Sequence, residues 1–197
     1  MTEIYLVRHG ETEYNRDGIL QGWVDSPLTE KGRENAFNNG MSLLKLGVAE
    51  KLTRIISSDF PRAVETTKII RATIRREDIT ISQDSDFREI NRGTIDGKFI
   101  ADYQEAIEKC KTDLNLPFPN GESYYELQQR ALNGLRKLFV NYSREVLLLV
   151  CHGAFINSIH RFYNNIQGYG DFIVTHNYLG RILIENGEFK EHTILSN

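Results

Sequence analysis

Two histidine–glycine pairs in the sequence each follow a short apolar run. His9-Gly10 comes after residues 4–7 and the cation Arg8, and His152-Gly153 comes directly after residues 146–151. Apolar, β-branched runs of this length predict buried strands. Open α/β sheets bind ligands at the carboxyl ends of their inner strands. The sequence therefore predicts that both imidazoles and the Arg8 guanidinium meet in one crevice.

An arginine and a glutamate elsewhere in the chain could complete such a crevice. Pro61 is typical of the first position of a helix, which places Arg62 in the first turn, where free backbone amides favour an anion. Glu89 lies within residues 87–90, which predict a short strand or extended segment before Gly93. Each of the two could also be an ordinary solvated charge, so they are candidates only in combination with the histidines.

Three kinds of chemistry are compatible with these residue types. Two histidines and a glutamate could ligate zinc, but two guanidiniums beside a divalent cation are electrostatically unfavourable. A serine or cysteine nucleophile is a second possibility, because Ser57, Ser58 and Cys151 lie near predicted strand ends. Cys151, however, should point away from His152, since neighbouring side chains of a strand alternate between its faces.

Phosphoryl transfer through a histidine, the third chemistry, uses all of these residue types. Guanidinium groups bind phosphate oxygens in pairs, and a neutral imidazole can form a covalent intermediate. The arginines should lower the pKa of His9 and keep it neutral, while a cationic His152 would stabilise charge in the transition state. Glu89 would protonate the leaving alkoxide and then deprotonate the water. Because arginine and histidine supply the positive charge, neither a metal nor another cofactor is expected.

Residues 6–12, Leu-Val-Arg-His-Gly-Glu-Thr, resemble the signature of the histidine phosphatase superfamily, the phosphoglycerate-mutase-like proteins. The resemblance continues in order through Asn15, Gln21-Gly22-Trp23, Asp25-Ser26-Pro27-Leu28-Thr29, Ser57-Ser58, Arg62-Ala63, Thr66, Glu89, Gly93, Gly97, Gly121-Glu122-Ser123 and His152-Gly153. It implies a catalytic pocket formed by five residues, Arg8, His9, Arg62, Glu89 and His152. It also implies that the substrate is contacted by further residues, namely Asn15, Gln21, Gly22 and the Gly153 amide.

Arg92 departs from the family pattern, because many members have an aromatic or small residue between the glutamate motif and its first glycine. It could be a surface arginine paired with Asp96 or Glu89. It could instead bring a third cation to the pocket mouth and contact a second anionic group of the substrate, and both readings stay open. Ordinary structural roles are expected for the remaining histidines, His160, His176 and His192.

The family pocket serves two reactions. Mutases return the phosphoryl group to the substrate and carry a long insertion after the glutamate motif, whereas phosphatases transfer it to water. Here only residues 98–120 separate Gly97 from Gly121, so the chain resembles the broad-specificity and α-ribazole phosphatases. The prediction is a metal-independent phosphatase that acts on small phosphomonoesters through His9. A phosphoglycerate mutase is the alternative, and a non-catalytic phospho-ligand binding module is disfavoured because the nucleophile and Glu89 are both present.

Length and composition predict a single domain over residues 1–197, with a short lid at about residues 98–121. The formal net charge of −3 provides no global basic field for nucleic acid or a membrane surface. No run approaches the roughly 20 apolar residues that span a bilayer, no signal peptide is recognisable, and Cys110 and Cys151 lack metal-site spacing. We therefore expect a reduced cytoplasmic protein, monomeric or homodimeric, whose partner is a small phosphorylated metabolite.

Strands and helices are predicted to alternate along the chain, which indicates an α/β fold. The expected architecture is a three-layer sandwich with a mostly parallel central sheet flanked by helices, as the resemblance also implies. Ser123 and Glu126 predict a capping box, and Asn186-Gly187 predicts a hairpin turn. The helix that begins after Thr29 is expected to bury an apolar stripe consisting of Ala36, Phe37, Met41, Leu44 and Leu46.

Overall fold

The structure, a computed structural model, describes residues 1–197. The strands are β1 (Thr2–Arg8), β2 (Arg54–Ser57), β3 (Ile81–Gln83), β4 (Val146–Cys151), β5 (Leu179–Glu185) and β6 (Glu188–Ser196). The α-helices are α1 (Glu13–Arg16), α2 (Glu30–Lys45), α3 (Pro61–Thr73), α4 (Gln104–Thr112), α5 (Tyr124–Asn141) and α6 (Gly153–Tyr163). None of these helices combines the length and the apolar character needed to cross a bilayer.

One mixed sheet forms the middle of the fold, in the order β3-β2-β4-β1-β5-β6. The first four strands of this order run parallel, and β5 and β6 add an antiparallel hairpin beside β1. Asn186 and Gly187 turn the hairpin with φ of 53° and 79°, the left-handed conformation that such turns require. The predicted α/β architecture is therefore confirmed. Because Arg8 pairs with Cys151 across β1 and β4, the histidines that follow these two strands lie side by side.

Alternate residues of β1 enter two separate cores, one on each face of the sheet. Ile4 and Leu6 pack in a core shared with α5 and α6, whereas Tyr5 and Val7 pack in a core shared with α2 and α3. The sheet is thus the middle of three layers, as predicted. Covering on both faces also explains why the inner strands are continuous apolar runs rather than alternating ones.

Helix α2 begins and ends close to the predicted residues but buries a different face. Phe37, Met41, Leu44 and Leu46 are between 39% and 49% exposed, so the predicted apolar stripe is wrong except at Ala36. The buried face consists mostly of small and polar residues: Gly32, Asn35, Ala36, Asn39, Gly40 and Leu43. Small residues occupy it because α2 packs closely on α3, where a Cβ on Gly40 would lie 2.7 Å from the Thr73 side chain.

Two irregular segments reach the carboxyl edge of the sheet. Residues 87–90 form no strand, and a 3₁₀ turn, Ser85–Phe87, leads into extended backbone, which fits the second form of the prediction. Residues 98–121 contain a 3₁₀ turn, Ile100–Tyr103, and helix α4. The end of this segment returns to the sheet edge, where the Thr94 amide donates to the Pro119 carbonyl at 3.0 Å.

Two glycines let the turn after β1 lie directly against the first turn of α2. A Cβ on Gly10 would stand 2.1 Å from the Gly32 carbonyl oxygen, and a Cβ on Gly32 would stand 2.0 Å from the Glu11 carbonyl oxygen. Both contacts involve backbone atoms, which cannot rotate away as a side chain can. Gly10 and Gly32 therefore determine where the chain leaves β1, immediately after His9.

Gly32→Ala tests this close approach. Alanine normally stabilises a helix by up to about 1 kcal/mol relative to glycine, but the clash with the Glu11 carbonyl should outweigh that gain. We expect the free energy of unfolding to fall by about 2 kcal/mol, as in other overpacked sites, measured by urea denaturation followed by circular dichroism. Asn38→Ala on the exposed side of α2 is the control and should change it by less than about 0.5 kcal/mol. A Gly32→Ala protein as stable as the control would contradict the argument.

Candidate active site

His9 follows β1 and is only 2% exposed. Its amide donates to the Cys151 carbonyl at 3.0 Å, and the Gly10 amide donates to Thr66 Oγ1 at 3.0 Å. Its ring Nδ1 lies 2.8 Å from the Gly10 carbonyl oxygen. Since a carbonyl can only accept, Nδ1 carries the proton and Nε2 keeps the lone pair.

The surroundings of His9 hold it in the neutral form. Burial lowers the pKa of His9 well below its ordinary value of 6.5, and Arg62, His152 and Arg8 lower it further. The direction agrees with the prediction, although burial is the largest single cause. A neutral imidazole with an unprotonated Nε2 has the form that a nucleophile requires.

His152 is fully buried, and its ring centroid lies 5.1 Å from that of His9. Its Nε2 is 2.8 Å from Ser58 Oγ, and its Nδ1 has no partner within the protein. Burial and the nearby arginines lower the pKa of His152 well below 6.5. The protein groups that act on His152 therefore favour its neutral form, because all of them are cations. The cationic His152 expected in the transition state stays a prediction. Ser58 is itself fully buried, so it orients His152 and is poorly placed to attack a substrate.

Arg8 reaches from the end of β1 to the start of α6. Its guanidinium donates to the Val174 carbonyl, and its Nε has no partner within the protein. A Cβ on Gly153 would lie 3.3 Å from Arg8 Cζ and Nε, so the glycine gives the guanidinium access to the first turn of the helix. Arg8 and the Gly153 amide at the start of that turn can therefore contact the same anion.

Arg62 lies in the first turn of α3, as predicted, and is 1% exposed. It donates to the carbonyls of Val24 and Gly22 at 2.9 and 2.8 Å and to Asp25 Oδ1 at 2.7 Å. Burial lowers the pKa of Arg62, and Asp25 acts in the opposite direction. Arg62 thereby fastens the loop after His9, while its buried Nε is left without a partner. Asp25 was not predicted as a site residue, although it stands within the family pattern.

Glu89 is 9% exposed and accepts two backbone hydrogen bonds. Oε1 accepts from the Ile90 amide at 2.9 Å, and Oε2 accepts from the Ala154 amide at 3.3 Å. The second bond places the carboxylate at the start of α6, two residues after His152. The structure therefore brings Glu89 to the same helix end as Arg8.

Two residues that sequence reasoning missed hold the backbone of Glu89. Trp23 Nε1 donates to the Glu89 carbonyl at 2.8 Å, and Arg130 Nη2 donates to the same oxygen at 3.2 Å. Arg130 also donates to two further carbonyls within residues 86–88 and pairs with Glu122. The place of Trp23 in the long loop after His9 was a usable signal. Nothing in the helical pattern of α5 distinguished Arg130 from a surface arginine.

Several polar side chains of the loop after His9 form hydrogen bonds with other residues of the same loop. Asn15 Oδ1 accepts from the Thr12 amide at 3.2 Å in the capping box of α1, which leaves its Nδ2 for a ligand. Gln21 accepts from Thr12 Oγ1 at 2.7 Å and donates to Ser26 Oγ at 3.2 Å. The amide nitrogen has two N–H groups, so one of them is left for the predicted phosphate contact of Gln21. The Gly22 carbonyl accepts from Arg62.

Arg92 is half-buried rather than a surface residue. Asp96 contacts only its backbone, accepting from the Arg92 amide at 3.2 Å, and its guanidinium Nε has no partner within the protein. The predicted pairing of the Arg92 side chain with Asp96 or Glu89 is therefore wrong. The side chain instead forms part of a cavity wall.

This cavity has a volume of about 250 Å³. Its lining residues are Arg8, Glu89, Arg92, Gly153, Ala154, Asn157, Tyr169, Phe172, Ile173 and Val174. Two guanidiniums face one carboxylate in the wall, so the cavity favours a small anionic molecule. Nowhere in the chain are three or more His, Cys, Asp or Glu side chains grouped to hold a metal ion.

Comparison with known proteins agrees with this geometry. The family model described as "Histidine phosphatase superfamily (branch 1)" matches residues 4–192. The protein named probable phosphoglycerate mutase GpmB from Salmonella arizonae is 37% identical over 158 residues, which are 78% of this chain and 70% of that protein.

Solved structures share the fold. YhfR from Bacillus stearothermophilus has a TM-score of 0.85 at 30% identity, with 96% of this chain and 95% of that chain covered. A phosphoserine phosphatase from Entamoeba histolytica, solved with 3-phosphoglyceric acid, has a TM-score of 0.82 at 23% identity, with 100% and 96% covered. That second likeness concerns the fold alone. Because the family model spans nearly the whole chain, this protein belongs to the histidine phosphatase superfamily, branch 1.

Proposed function

We propose that this protein is a metal-independent phosphatase that hydrolyses small phosphomonoesters through a phosphohistidine on His9. The observation that carries the proposal is the buried His9 imidazole, whose Nδ1–H bonds the Gly10 carbonyl at 2.8 Å and leaves Nε2 free. Nε2 attacks phosphorus, and the bond between phosphorus and the alcohol oxygen breaks. Glu89 acts as the general acid and gives a proton to the leaving oxygen.

Water completes the reaction by attacking the phosphohistidine, which breaks the phosphorus–nitrogen bond. The Glu89 carboxylate takes a proton from this water and returns to its starting form, and inorganic phosphate leaves. The phosphoryl oxygens are held by Arg8 and Arg62, and the Gly153 amide and Asn15 Nδ2 are further donors. This division of roles needs no metal ion, because the guanidiniums supply the charge.

The bound phosphate would also change the state of His152. Burial and the surrounding arginines lower the pKa of His152, and a phosphate dianion beside it would raise that pKa again. His152 would then become cationic only when substrate is present. Its partner-free Nδ1 would face an equatorial oxygen of the phosphoryl group in the transition state.

The short segment 98–121 favours hydrolysis over return of the phosphoryl group to the substrate. We take residues 1–197 as one histidine phosphatase domain in which residues 98–121 form a short lid. This lid contains a single α-helix, Gln104–Thr112, and its apolar residues Phe99 and Ile100 are 56% and 44% exposed. None of its residues lines the cavity, so this lid leaves a path for water to reach the phosphohistidine.

Phosphoglycerate mutase activity is the second candidate, because the Salmonella arizonae relative at 37% identity carries a mutase name. The products separate the two reactions. We would incubate the protein with 3-phosphoglycerate, a trace of 2,3-bisphosphoglycerate and EDTA, and follow phosphorus by NMR. A phosphatase releases inorganic phosphate, whereas a mutase accumulates 2-phosphoglycerate. More 2-phosphoglycerate than inorganic phosphate among the products would contradict the proposal. Activity that appears only after metal is added would also contradict it.

His9→Ala should lower kcat for p-nitrophenyl phosphate by roughly a thousandfold or more, because it removes the nucleophile. In a rapid-quench experiment with labelled substrate, the wild-type protein should carry a label that is acid-labile and base-stable, as phosphohistidine is. Ser58→Ala is the control, since it slows the reaction but should keep the label. A label that is stable to acid, or one that Ser58→Ala abolishes and His9→Ala retains, would point to a serine nucleophile.

Glu89→Gln should slow alkyl phosphates by about a hundredfold or more, because their leaving oxygen must be protonated. p-Nitrophenyl phosphate should be affected far less, because p-nitrophenolate leaves without a proton. Inhibition by orthovanadate, measured in parallel, should stay unchanged if the phosphate pocket is intact. Equal losses on both substrates would mean that Glu89 positions the phosphate and does not transfer the proton.

A further inference from the structure

Besides Arg8, two polar side chains in the wall of the cavity have hydrogen-bonding atoms that nothing in the protein uses. They are Arg92 Nε and Asn157 Oδ1, both shielded from solvent. Asn157 is 2% exposed, and its Nδ2 donates to the Phe172 carbonyl at 2.9 Å. Since only the amide nitrogen can donate to a carbonyl, this bond leaves Oδ1 as the free acceptor. Buried polar groups are nearly always paired, so two unpaired ones in a single cavity indicate a ligand.

The backbone around Arg92 is held in place before any ligand binds. Gly93 has φ of 61°, and a Cβ on it would lie 2.0 Å from the Pro119 carbonyl oxygen. The ring centroid of Phe118 lies 5.8 Å from Arg92 Cζ. This packing restricts the side chain, so that binding an anion requires little further ordering of the guanidinium.

This part of the cavity has little negative charge. Arg161 stands one turn after Asn157 on α6 but does not line the cavity; it is 3% exposed and has no partner for Nε and Nη1. Glu89 is the only carboxylate in the cavity wall, and the proposed reaction uses it for proton transfer. A second anionic group on the substrate would therefore be stabilised here, in addition to the transferred phosphate.

We propose that Arg92 and Asn157 form a second subsite, which selects phosphomonoesters whose alcohol part carries a carboxylate next to a hydroxyl or ammonium group. The inference rests on the proposed function, since Arg8 and Glu89 must receive the transferred phosphate in the same cavity. The Arg92 guanidinium pairs with the planar carboxylate through two N–H donors, and Asn157 Oδ1 accepts from the neighbouring group.

A matched pair of substrates isolates the carboxylate. 3-Phosphoglycerate and glycerol 3-phosphate differ only in that a hydroxymethyl group replaces the carboxylate. Arg92→Met should lower kcat/KM for 3-phosphoglycerate by about tenfold to a hundredfold, mainly through KM. Glycerol 3-phosphate and p-nitrophenyl phosphate should change by less than about twofold, which also shows that the variant is folded. Arg136→Met, an exposed arginine of α5, removes the same charge elsewhere and should leave all three substrates unaffected.

A second pair of substrates isolates the hydrogen-bond donor. The phosphate ester of 3-hydroxypropanoate lacks the hydroxyl group that 3-phosphoglycerate carries beside its carboxylate. The wild-type protein should prefer 3-phosphoglycerate by about fivefold or more, and Asn157→Ala should abolish that preference. The same preference in both proteins would overturn the role of Asn157.

Other outcomes would overturn the subsite while leaving the phosphatase proposal intact. Equal losses on all three substrates in Arg92→Met would make Arg92 a structural residue. An Arg92-dependent preference for fructose 1,6-bisphosphate over 3-phosphoglycerate would assign the subsite to a phosphate rather than a carboxylate. If the wild-type protein hydrolyses nothing, the proposed function fails, and calorimetric binding of 3-phosphoglycerate still tests the subsite. Arg92→Met should then weaken this binding, and unchanged binding would overturn the inference.

Discussion

The positive charge of several arginines governs the arrangement of this site. Removing a guanidinium from water is costly unless other acceptors replace the water. Backbone carbonyls do most of this here, from Val174 for Arg8 and from Gly22 and Val24 for Arg62. Carbonyl oxygens solvate a cation without neutralising it, and only Asp25 pairs with Arg62 as a carboxylate. With Arg92 included, three guanidiniums stand against the Asp25 and Glu89 carboxylates, so the site has a net positive charge that an anionic ligand can offset.

The same field sets the protonation of the two histidines. Each imidazole is buried among arginines, so the pKa of each is lowered well below 6.5. For His9 the neutral form leaves Nε2 with its lone pair, because Nδ1 is committed to the Gly10 carbonyl. In the proposed mechanism, His152 is neutral while no anion is bound beside it. The same electrostatic environment thus keeps His9 in the form that a nucleophile requires. In the mechanism proposed above, it also lets His152 gain a proton when phosphate binds.

Two different parts of the fold position the reacting groups. The parallel pair β1 and β4 brings His9 and His152 side by side, because both strands end at the same edge of the sheet. Glu89 arrives on an irregular segment instead, and side chains hold that segment from two directions. Trp23 comes from the loop after His9, and Arg130 comes from α5 on the other side. The position of the Glu89 carboxylate therefore depends on long-range hydrogen bonds, whereas the positions of the two imidazoles depend on the pairing of β1 and β4.

Most of the fold and the main members of the site could be predicted from the sequence, because they depend on short-range patterns. The apolar runs before His9 and His152, the cap at Thr29, the capping box of α5 and the Asn-Gly hairpin each use only neighbouring residues. The α/β architecture follows from the order of these elements. The meeting of the two histidines follows from the rule that parallel strands share a carboxyl edge.

The remaining features depend on contacts between segments far apart in the chain, and only the folded structure shows them. The buried face of α2 is small and polar because it packs closely on α3, which no helical periodicity reveals. Arg130 and Arg92 have the same side chain, yet one holds the Glu89 backbone and the other lines a cavity without a carboxylate partner. The charge of His152 likewise depends on burial and on three arginines from different elements. Burial, close packing and electrostatic fields are properties of assembled segments, so local sequence patterns do not carry them.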